Sequence, residues 1–286
     1  MKISTTTGDY FARGYSAKEA VKFIADAGFD YADFTFSAFK NQEAWNREHF
    51  EKLKEYADSL NISFNQAHAP FPTSVGDEEK DEKIFESVIQ SMEFASILGV
   101  KHIIVHPKQH LTYKGNEETL KKMNYDFYRR LIPYCEKYQI KVAVENMWQR
   151  DKLRNYIGKS TCADPKEHME YVDMIDSPWI VACLDIGHTA LTGDDVADVI
   201  KMLGHDRLKT LHVHDVDYMH DNHTLPGIQK LDFQRILKAL KDIDYDGEFT
   251  LEADCFLGGF EKEFIPTAAR FMSDRARFLA NCFDAF

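Results

Sequence analysis

Short apolar or β-branched runs alternate with longer amphipathic stretches along the whole chain. The run "KISTTT" predicts a first strand, and "SAKEAVKFIADAG" predicts a helix that begins after Ser16 and ends before Gly28. Seven further strand-like runs follow, ending with "IKVAVENMW", "WIVACLDIGH", "LKTLHVHD" and "GEFTLEAD", and a last helix is predicted near residues 262–283. Alternating strands and helices predict a parallel sheet, and eight such units favour a (β/α)8 TIM barrel over a doubly wound open sheet. We expect residues 1–286 to form a single TIM-barrel domain.

From the third strand onward, the predicted strands end in an imidazole or a carboxylate. These strand-end residues are His68, His106, Glu145, Asp185, His212 and Glu252. The last four are separated by 40, 27 and 40 residues, which are the steps of successive βα units. Because the C-terminal ends of barrel strands meet at one mouth, we expect these side chains to converge. A single strand-end glutamate is usually solvated, but six such residues after runs as apolar as "KVAV" favour a shared site, since a buried charge is unfavourable unless it is paired or metal-bound.

Three carboxylates and one imidazole form a ligand set that suits one divalent metal ion, either Mn or Mg, with Co or Zn also possible. The predicted ligands are Glu145, Asp185, His212 and Glu252. Such an ion can hold two oxygens of a hydroxyketone, polarise its carbonyl group and stabilise an enediolate. Glu145 and Glu252 approach from nearly opposite sides of the ring of strands, so we predict that they are the catalytic acid and base. Two bases on opposite faces would epimerise a sugar, whereas one base moving a proton between adjacent carbons would isomerise it.

Further residues near these strand ends are predicted to contact the substrate. His68 and His106 are placed to hydrogen-bond sugar hydroxyl groups, and His188 is placed to touch the substrate or to serve as a ligand. Trp148 could pack on the apolar face of a sugar or simply pack at the rim. The stretch "QRDKLRNYIGKS", which includes Lys152, carries an excess of positive charge that hints at an anionic substrate, although a solvated loop would look the same.

Composition narrows the choice of partners and compartment. The chain has 286 residues, of which 44% are hydrophobic and 29% charged, and its net charge of -12 disfavours binding to phosphate backbones. Five cysteines without a CxxC pair favour reduced thiols over a disulfide framework. No window approaches the apolar length of a membrane span, and the N-terminus lacks an apolar signal core. We therefore expect a cytoplasmic protein that does not engage a membrane, and a homo-oligomer is possible.

The strand-end motifs resemble those of the xylose isomerase-like TIM-barrel superfamily, which contains sugar and sugar-phosphate isomerases and epimerases. The matching pieces are "AHAPF", "IIVHP", "VAVENM", "CLDIGH", "LHVHD", "DNHTLPG" and "YDGEFTLE". This resemblance implies a metal-dependent enzyme that acts on a small sugar or sugar phosphate, with Glu145 and Glu252 as the acid–base pair. Barrel relatives that act on inososes as dehydratases or isomerases are an alternative that the resemblance leaves open.

The same superfamily contains endonuclease IV, a three-zinc enzyme that cuts DNA at abasic sites. The resemblance to it gives nine ligand positions in this chain, namely His68, His106, Glu145, Asp185, His188, His212, Asp221, His223 and Glu252. Under the sugar hypothesis, Asp221 and His223 line the mouth of the barrel and contact the substrate instead. The acidic loop "PFPTSVGDEEKDE" and the loop "AFKNQEAW", whose only basic residue is Lys40, disfavour a DNA partner, so we favour sugar chemistry.

Overall fold

The protein is described here by a computed structural model that covers residues 1–37, 45–151 and 153–286. Lys40 and Lys152, which entered the predictions about a DNA partner and an anionic substrate, lie outside the described residues. The strands are β1 (Ile3–Thr6), β2 (Tyr31–Thr35), β3 (Ser63–His68), β4 (His102–Ile104), β5 (Lys141–Glu145), β6 (Trp148–Asp151), β7 (Tyr156–Lys159), β8 (Ile180–Asp185), β9 (Leu208–His212) and β10 (Phe249–Leu251). The helices are α1 (Gly8–Ala12), α2 (Ala17–Ala27), α3 (Arg47–Ser59), α4 (Glu78–Ile97), α5 (Glu117–Tyr138), α6 (Pro165–Ile175), α7 (Ile186–Leu191), α8 (Val196–Arg207), α9 (Phe233–Asp242) and α10 (Ile265–Ala285).

Eight parallel strands form a nearly closed barrel with helices between them. The strand order is β10-β1-β2-β3-β4-β5-β8-β9, and each pair of neighbours is parallel. Backbone hydrogen bonds continue across the seam between β9 and β10, where Val213 N–H donates to Thr250 O at 2.9 Å and Glu252 N–H donates to Val213 O at 3.0 Å. These contacts confirm the predicted TIM barrel and bring the ends of β9 and β10 side by side.

Amphipathic helices form the outer layer because each buries one apolar face against the strands. Helix α2 begins with the predicted capping box, in which Ser16 and Glu19 exchange hydrogen bonds, and ends at Gly28 with φ 93°. Helix α10 packs against both α2 and α9, so the helical layer also closes around the seam. The main apolar core lies between the strands and this layer.

The interior of the barrel is partly polar. Ser4 donates a hydrogen bond to Asn65 at 2.8 Å, and Asn65 in turn donates to the Thr250 hydroxyl at 3.0 Å. A small apolar cluster of Ile104, Ala143, Val181 and Cys183 forms a separate buried group on β4, β5 and β8. Side chains alternate along each strand, so Ala143 and Glu145 of β5 face the same side, as do Cys183 and Asp185 of β8. This alternation directs the strand-end carboxylates toward the barrel axis.

Candidate metal and substrate site

Four of the strand-end residues converge at the mouth of the barrel. Glu145, Asp185, His212 and Glu252 each offer one ligand atom, and these atoms all lie within 4.8 Å of one another. His212 Nδ1 lies 3.1 Å from Glu145 Oε2 and 3.4 Å from Glu252 Oε2. These three atoms are buried, and none has a hydrogen-bond partner among the described residues. An arrangement of unpaired buried ligand atoms around one point fits a divalent cation.

His68 and His106 flank the two glutamates. His68 Nε2 lies 3.1 Å from Glu252 Oε1, and His106 Nε2 lies 3.1 Å from Glu145 Oε2. Asp33, a fully buried carboxylate on β2 that the sequence analysis did not single out, lies 3.2 Å from His68 Nδ1. His68, His106 and Glu145 also form a group of potential metal ligands. Asp33 follows "YA" within a strand, a position at which sequence alone gives no reason to expect a buried charge.

A second group of potential ligands lies beside the first and contains His188, His214, Asp221 and His223. His188 lies on α7, and its Nδ1–H donates to the carbonyl of Asn146 at 2.9 Å. His223 Nε2 lies 3.1 Å from Asp221 Oδ2. The structure therefore places these three predicted residues next to the central four, on the side that faces β6.

His214 is a buried member of this group that the sequence analysis missed. Its Nε2 lies 3.0 Å from Asp185 Oδ1 and 3.1 Å from Oδ2, and its ring stacks on His223 with ring centroids 4.1 Å apart. Gly187 makes room for this ring, because an added Cβ would lie 2.1 Å from His214 Cε1. The spacing of His212 and His214 two residues apart was a signal that both side chains would point to one side of an extended strand.

Trp148 begins a hairpin formed by β6 and β7 that the strand count did not include. Its Nε1–H donates to Asp221 Oδ2 at 3.0 Å, so the indole packs at the rim and holds Asp221 in place. Of the basic residues in this hairpin, Arg154 lies 3.1 Å from Asp151 and Lys159 lies 2.8 Å from Asp194. Arg154 and Lys159 are thus paired with acidic neighbours, whereas Arg150 donates to Asn155 Oδ1 at 3.4 Å.

The surroundings of the two glutamates favour their ionised form. Burial alone would raise their pKa, but nearby imidazoles, His212 foremost, hold the pKa of Glu145 and of Glu252 well below the usual range. Burial likewise opposes a charge on His68, but Asp33 and Glu252 outweigh it and raise the pKa of His68 to about 10. Opposite charges and unpaired atoms are therefore concentrated at this end of the barrel.

A cavity of about 240 Å³ opens beside Glu252, His68 and His106. The other residues that line it are Gly8, Asp9, Ala12, Thr35, Ser37, Phe71 and Asp254. A second cavity of about 290 Å³ lies between α7, α8 and α9 and contains none of the strand-end residues. Of these two cavities, the first borders one of the four converging residues, Glu252.

No helix in the described parts of the chain is long and apolar enough to cross a membrane.

Sequence comparison finds similarity to D-psicose 3-epimerase of Enterocloster bolteae, at 23% identity over 88% of this chain and 81% of that protein. Inosose dehydratase of Clostridium perfringens strain 13 is 23% identical over 78% of this chain and 80% of its own length.

Solved structures with the same fold include a D-tagatose 3-epimerase-like protein, with a TM-score of 0.77, 20% identity and coverage of 98% of this chain and 99% of that one. An IOLI protein with a binding zinc atom has a TM-score of 0.78, 19% identity and coverage of 100% and 99%. The family model described as xylose isomerase-like TIM barrel matches residues 21–275. The chain therefore belongs to the xylose isomerase-like TIM barrel family, as its strand-end motifs indicated.

Proposed function

We propose that this protein is a divalent-metal-dependent sugar isomerase or epimerase. The observation that carries the proposal is the convergence of Glu145, Asp185, His212 and Glu252, whose ligand atoms lie within 4.8 Å of one another. Similarity to enzymes named D-psicose 3-epimerase and inosose dehydratase supports chemistry on a sugar or a related polyol.

The four converging residues would hold the cation, and their mixture of carboxylates and one imidazole suits Mn, Mg, Co or Zn. A cation bound there would polarise a substrate carbonyl group and stabilise negative charge on its oxygen. The zinc atom named for the IOLI structure supports a metal ion in a protein of this fold. The metal-binding role of these residues stays a prediction, and one ion is the simplest occupancy.

The chain itself supplies the proton transfer. Glu252 borders the cavity with 12% of its side chain exposed, whereas the side chain of Glu145 is 1% exposed. Because both carboxylates favour the ionised form, either one can accept a proton from a substrate carbon. The other can deliver a proton to the opposite face only after it has taken one from solvent. His68 and His106, which contact Glu252 and Glu145 respectively, would orient these carboxylates and hydrogen-bond substrate hydroxyl groups. A pair acting from two sides supports epimerisation, and a single carboxylate acting on adjacent carbons supports isomerisation.

The test is solvent deuterium exchange catalysed by the metal-loaded protein on ketoses, phosphoketoses and inososes, followed by proton NMR. We expect Glu145→Gln and Glu252→Gln to lower the exchange rate by about 10²–10⁴-fold, as is typical when a general acid or base is removed. Glu261→Gln, a change at an exposed glutamate beyond β10, is the matched control and should keep the wild-type rate. Exchange that survives in both site variants would refute the proposal.

A zinc-dependent abasic-site endonuclease is the second candidate, and one observation favours it. The nine residues that match endonuclease IV all fall within three neighbouring groups of potential ligands. The net charge of -12 and the acidic loop after β3 argue against a DNA partner. Three tightly held zinc ions by elemental analysis, together with cleavage of a duplex containing one abasic site, would select this function over sugar chemistry.

A further inference from the structure

The cavity beside Glu252 is lined by hydroxyl and carboxyl groups. Two carboxylates that the proposed proton transfer does not use, Asp9 and Asp254, lie on its wall together with Thr35 and Ser37. The described residues that line it include no lysine or arginine. Arg13 lies near enough to Asp9 for their charges to interact, but its guanidinium donates to the carbonyl of Phe260 at 2.6 Å.

Each of the two carboxyl groups accepts a hydrogen bond from the protein through one oxygen, and its other oxygen remains available to hydrogen-bond a ligand. Leu257 N–H donates to Asp9 Oδ2 at 3.0 Å, and the Thr6 hydroxyl donates to Asp254 Oδ1. No described residue donates a hydrogen bond to Asp9 Oδ1 or Asp254 Oδ2. An ionised carboxylate accepts a hydrogen bond from a hydroxyl group, and a protonated one donates to it, so the pair suits a hydroxyl-bearing ligand in either state.

Thr35 gives an independent indication of a ligand. Its side-chain hydroxyl is buried without a hydrogen-bond partner among the described residues, and the residue is only 6% exposed. A buried hydroxyl group without a hydrogen-bond partner destabilises the fold, so such groups are rare unless a ligand or a water molecule bonds to them. Because Thr35 lines the cavity, a hydroxyl group of a bound molecule can supply that partner.

Gly8 keeps these groups accessible. A Cβ added at Gly8 would lie 2.6 Å from Asp254 Oδ2 and 3.4 Å from Thr35 Oγ1. The available carboxylate oxygen and the unpaired hydroxyl therefore lie around one small opening that any other residue at position 8 would narrow. This opening adjoins Glu252, so a molecule bound in it would extend away from the proposed acid–base pair.

We infer that this cavity binds the uncharged, hydroxyl-bearing end of a sugar or polyol and discriminates against a phosphate group at that end. The inference rests on the proposed function for the identity of the ligand as a sugar. A phosphate dianion in this cavity would lie beside the carboxylate of Glu252 and the carboxyl groups of Asp9 and Asp254, and no described lysine or arginine lines the cavity to compensate its charge. Burial raises the pKa of Asp9 to about 7, so the repulsion comes mainly from the other two groups. The substrate class is therefore a neutral ketose or inosose rather than a sugar phosphate.

The experiment compares matched neutral and phosphorylated sugars on the manganese-loaded protein. The two pairs are D-fructose with D-fructose 6-phosphate, and L-ribulose with L-ribulose 5-phosphate. Calorimetric binding constants and deuterium exchange are measured for each. We expect the neutral member of at least one pair to bind about tenfold or more tightly than its phosphorylated partner, which corresponds to about 1.4 kcal/mol.

Two variants locate the discrimination in this cavity. Asp254→Asn keeps an acceptor for Thr6 but removes a negative charge, so the preference for the neutral sugar should fall about fivefold or more. Thr35→Val removes a hydroxyl group that has no described protein partner, so it should weaken binding of the neutral sugar several-fold while the thermal midpoint is unchanged or higher. Asp26→Asn, at an exposed aspartate paired with Lys22 on α2, is the control and should keep the wild-type preference.

The two proposals fail in different ways. Preferential binding of the neutral sugar without deuterium exchange would count against the proposed function and support this inference. Three results would overturn this inference. They are a phosphorylated sugar that binds as tightly as its neutral partner, no binding of any of the four sugars, and a preference for the neutral sugar that Asp254→Asn leaves unchanged. In the first of these cases, exchange on the phosphorylated sugar would leave the proposed function intact.

Discussion

Buried polar atoms without partners accumulate among the residues at the mouth of this barrel. Glu145 Oε2, Glu252 Oε2 and both ring nitrogens of His212 are buried and lack hydrogen-bond partners among the described residues. Burying such an atom without a hydrogen bond or a metal ion destabilises the folded state by a few kcal/mol, so the accumulation of four of them at one point is hard to explain by packing alone. A bound cation and a polar substrate would together supply the missing partners of these atoms.

His214 is expected to strengthen metal binding without touching the ion. Its Nε2 lies 3.0 Å from Asp185, and hydrogen-bond partners that orient metal ligands typically contribute a factor of about 10–100 in metal affinity. We predict that His214→Ala lowers the affinity for Mn²⁺ by about that factor, measured by competition with a chromogenic chelator. His214→Gln should lose less, because its amide can still donate toward Asp185.

His220→Ala is the matched control for this prediction. His220 lies on the same loop but is exposed and hydrogen-bonded to Asp217 at 2.9 Å. Its removal should leave the Mn²⁺ affinity unchanged. If His214→Ala and His220→Ala bind Mn²⁺ equally well, the contact between His214 and Asp185 has no part in holding the ion.

At the scale of elements, α6 is attached to β5 by one buried imidazole. His168 Nε2–H donates to the carbonyl of Val144 at 2.8 Å, directly before Glu145. Burial lowers the pKa of His168 from 6.5 to about 4, with partial compensation from that hydrogen bond and from Glu145. The folded protein therefore keeps this side chain neutral over a pH range in which the unfolded chain takes up a proton.

This difference predicts a specific loss of stability in acid. Above pH 6.5 both states are neutral at His168 and the group has no effect; between pH 6.5 and 4 only the unfolded state binds the proton, so the free energy of unfolding falls. We expect this fall to be about 3 kcal/mol larger in the wild type than in His168→Gln, whose amide can replace the donor without titrating. Urea unfolding at several pH values measures it, and parallel curves for the two proteins would contradict it.

Elements with a strong local pattern were predictable, and elements made by contacts distant in sequence were not. The capping box at Ser16 and the fully buried run of β8 follow from neighbouring residues, so the barrel and its strand ends could be predicted from sequence. The hairpin of β6 and β7 was missed because its strands are short and half-exposed and lack an apolar face. Asp33 was missed because its partner, His68, lies 35 positions away. The spacing of His214 from His212 was a local signal, but its partner Asp185, which lies 29 positions away, could not be identified from neighbouring residues.

For the whole molecule, the proposed metal site joins strands that meet across the seam. Its four residues lie on or directly after β5, β8, β9 and β10. Among the described residues, the backbone hydrogen bonds between the last two strands run through Val213. Strand order and register alone leave this junction with few backbone hydrogen bonds. A cation held by residues of all four strands would therefore stabilise the closure of the barrel, in addition to its role in the proposed reaction.

Removal of the metal should accordingly lower the stability of the whole protein. A ligand at 100 times its Kd stabilises the folded state by about 2.7 kcal/mol, which corresponds to about 4–5 °C in Tm for a protein of this size. We predict a fall of that order by calorimetry after treatment with EDTA and dialysis, restored by added Mn²⁺. Glu252→Gln should show a smaller restoration because it lacks one ligand charge at the seam, whereas Glu261→Gln should match the wild type. An identical Tm with and without Mn²⁺ would mean that Mn²⁺ does not stabilise the barrel through these four residues, and it would argue that they hold no ion.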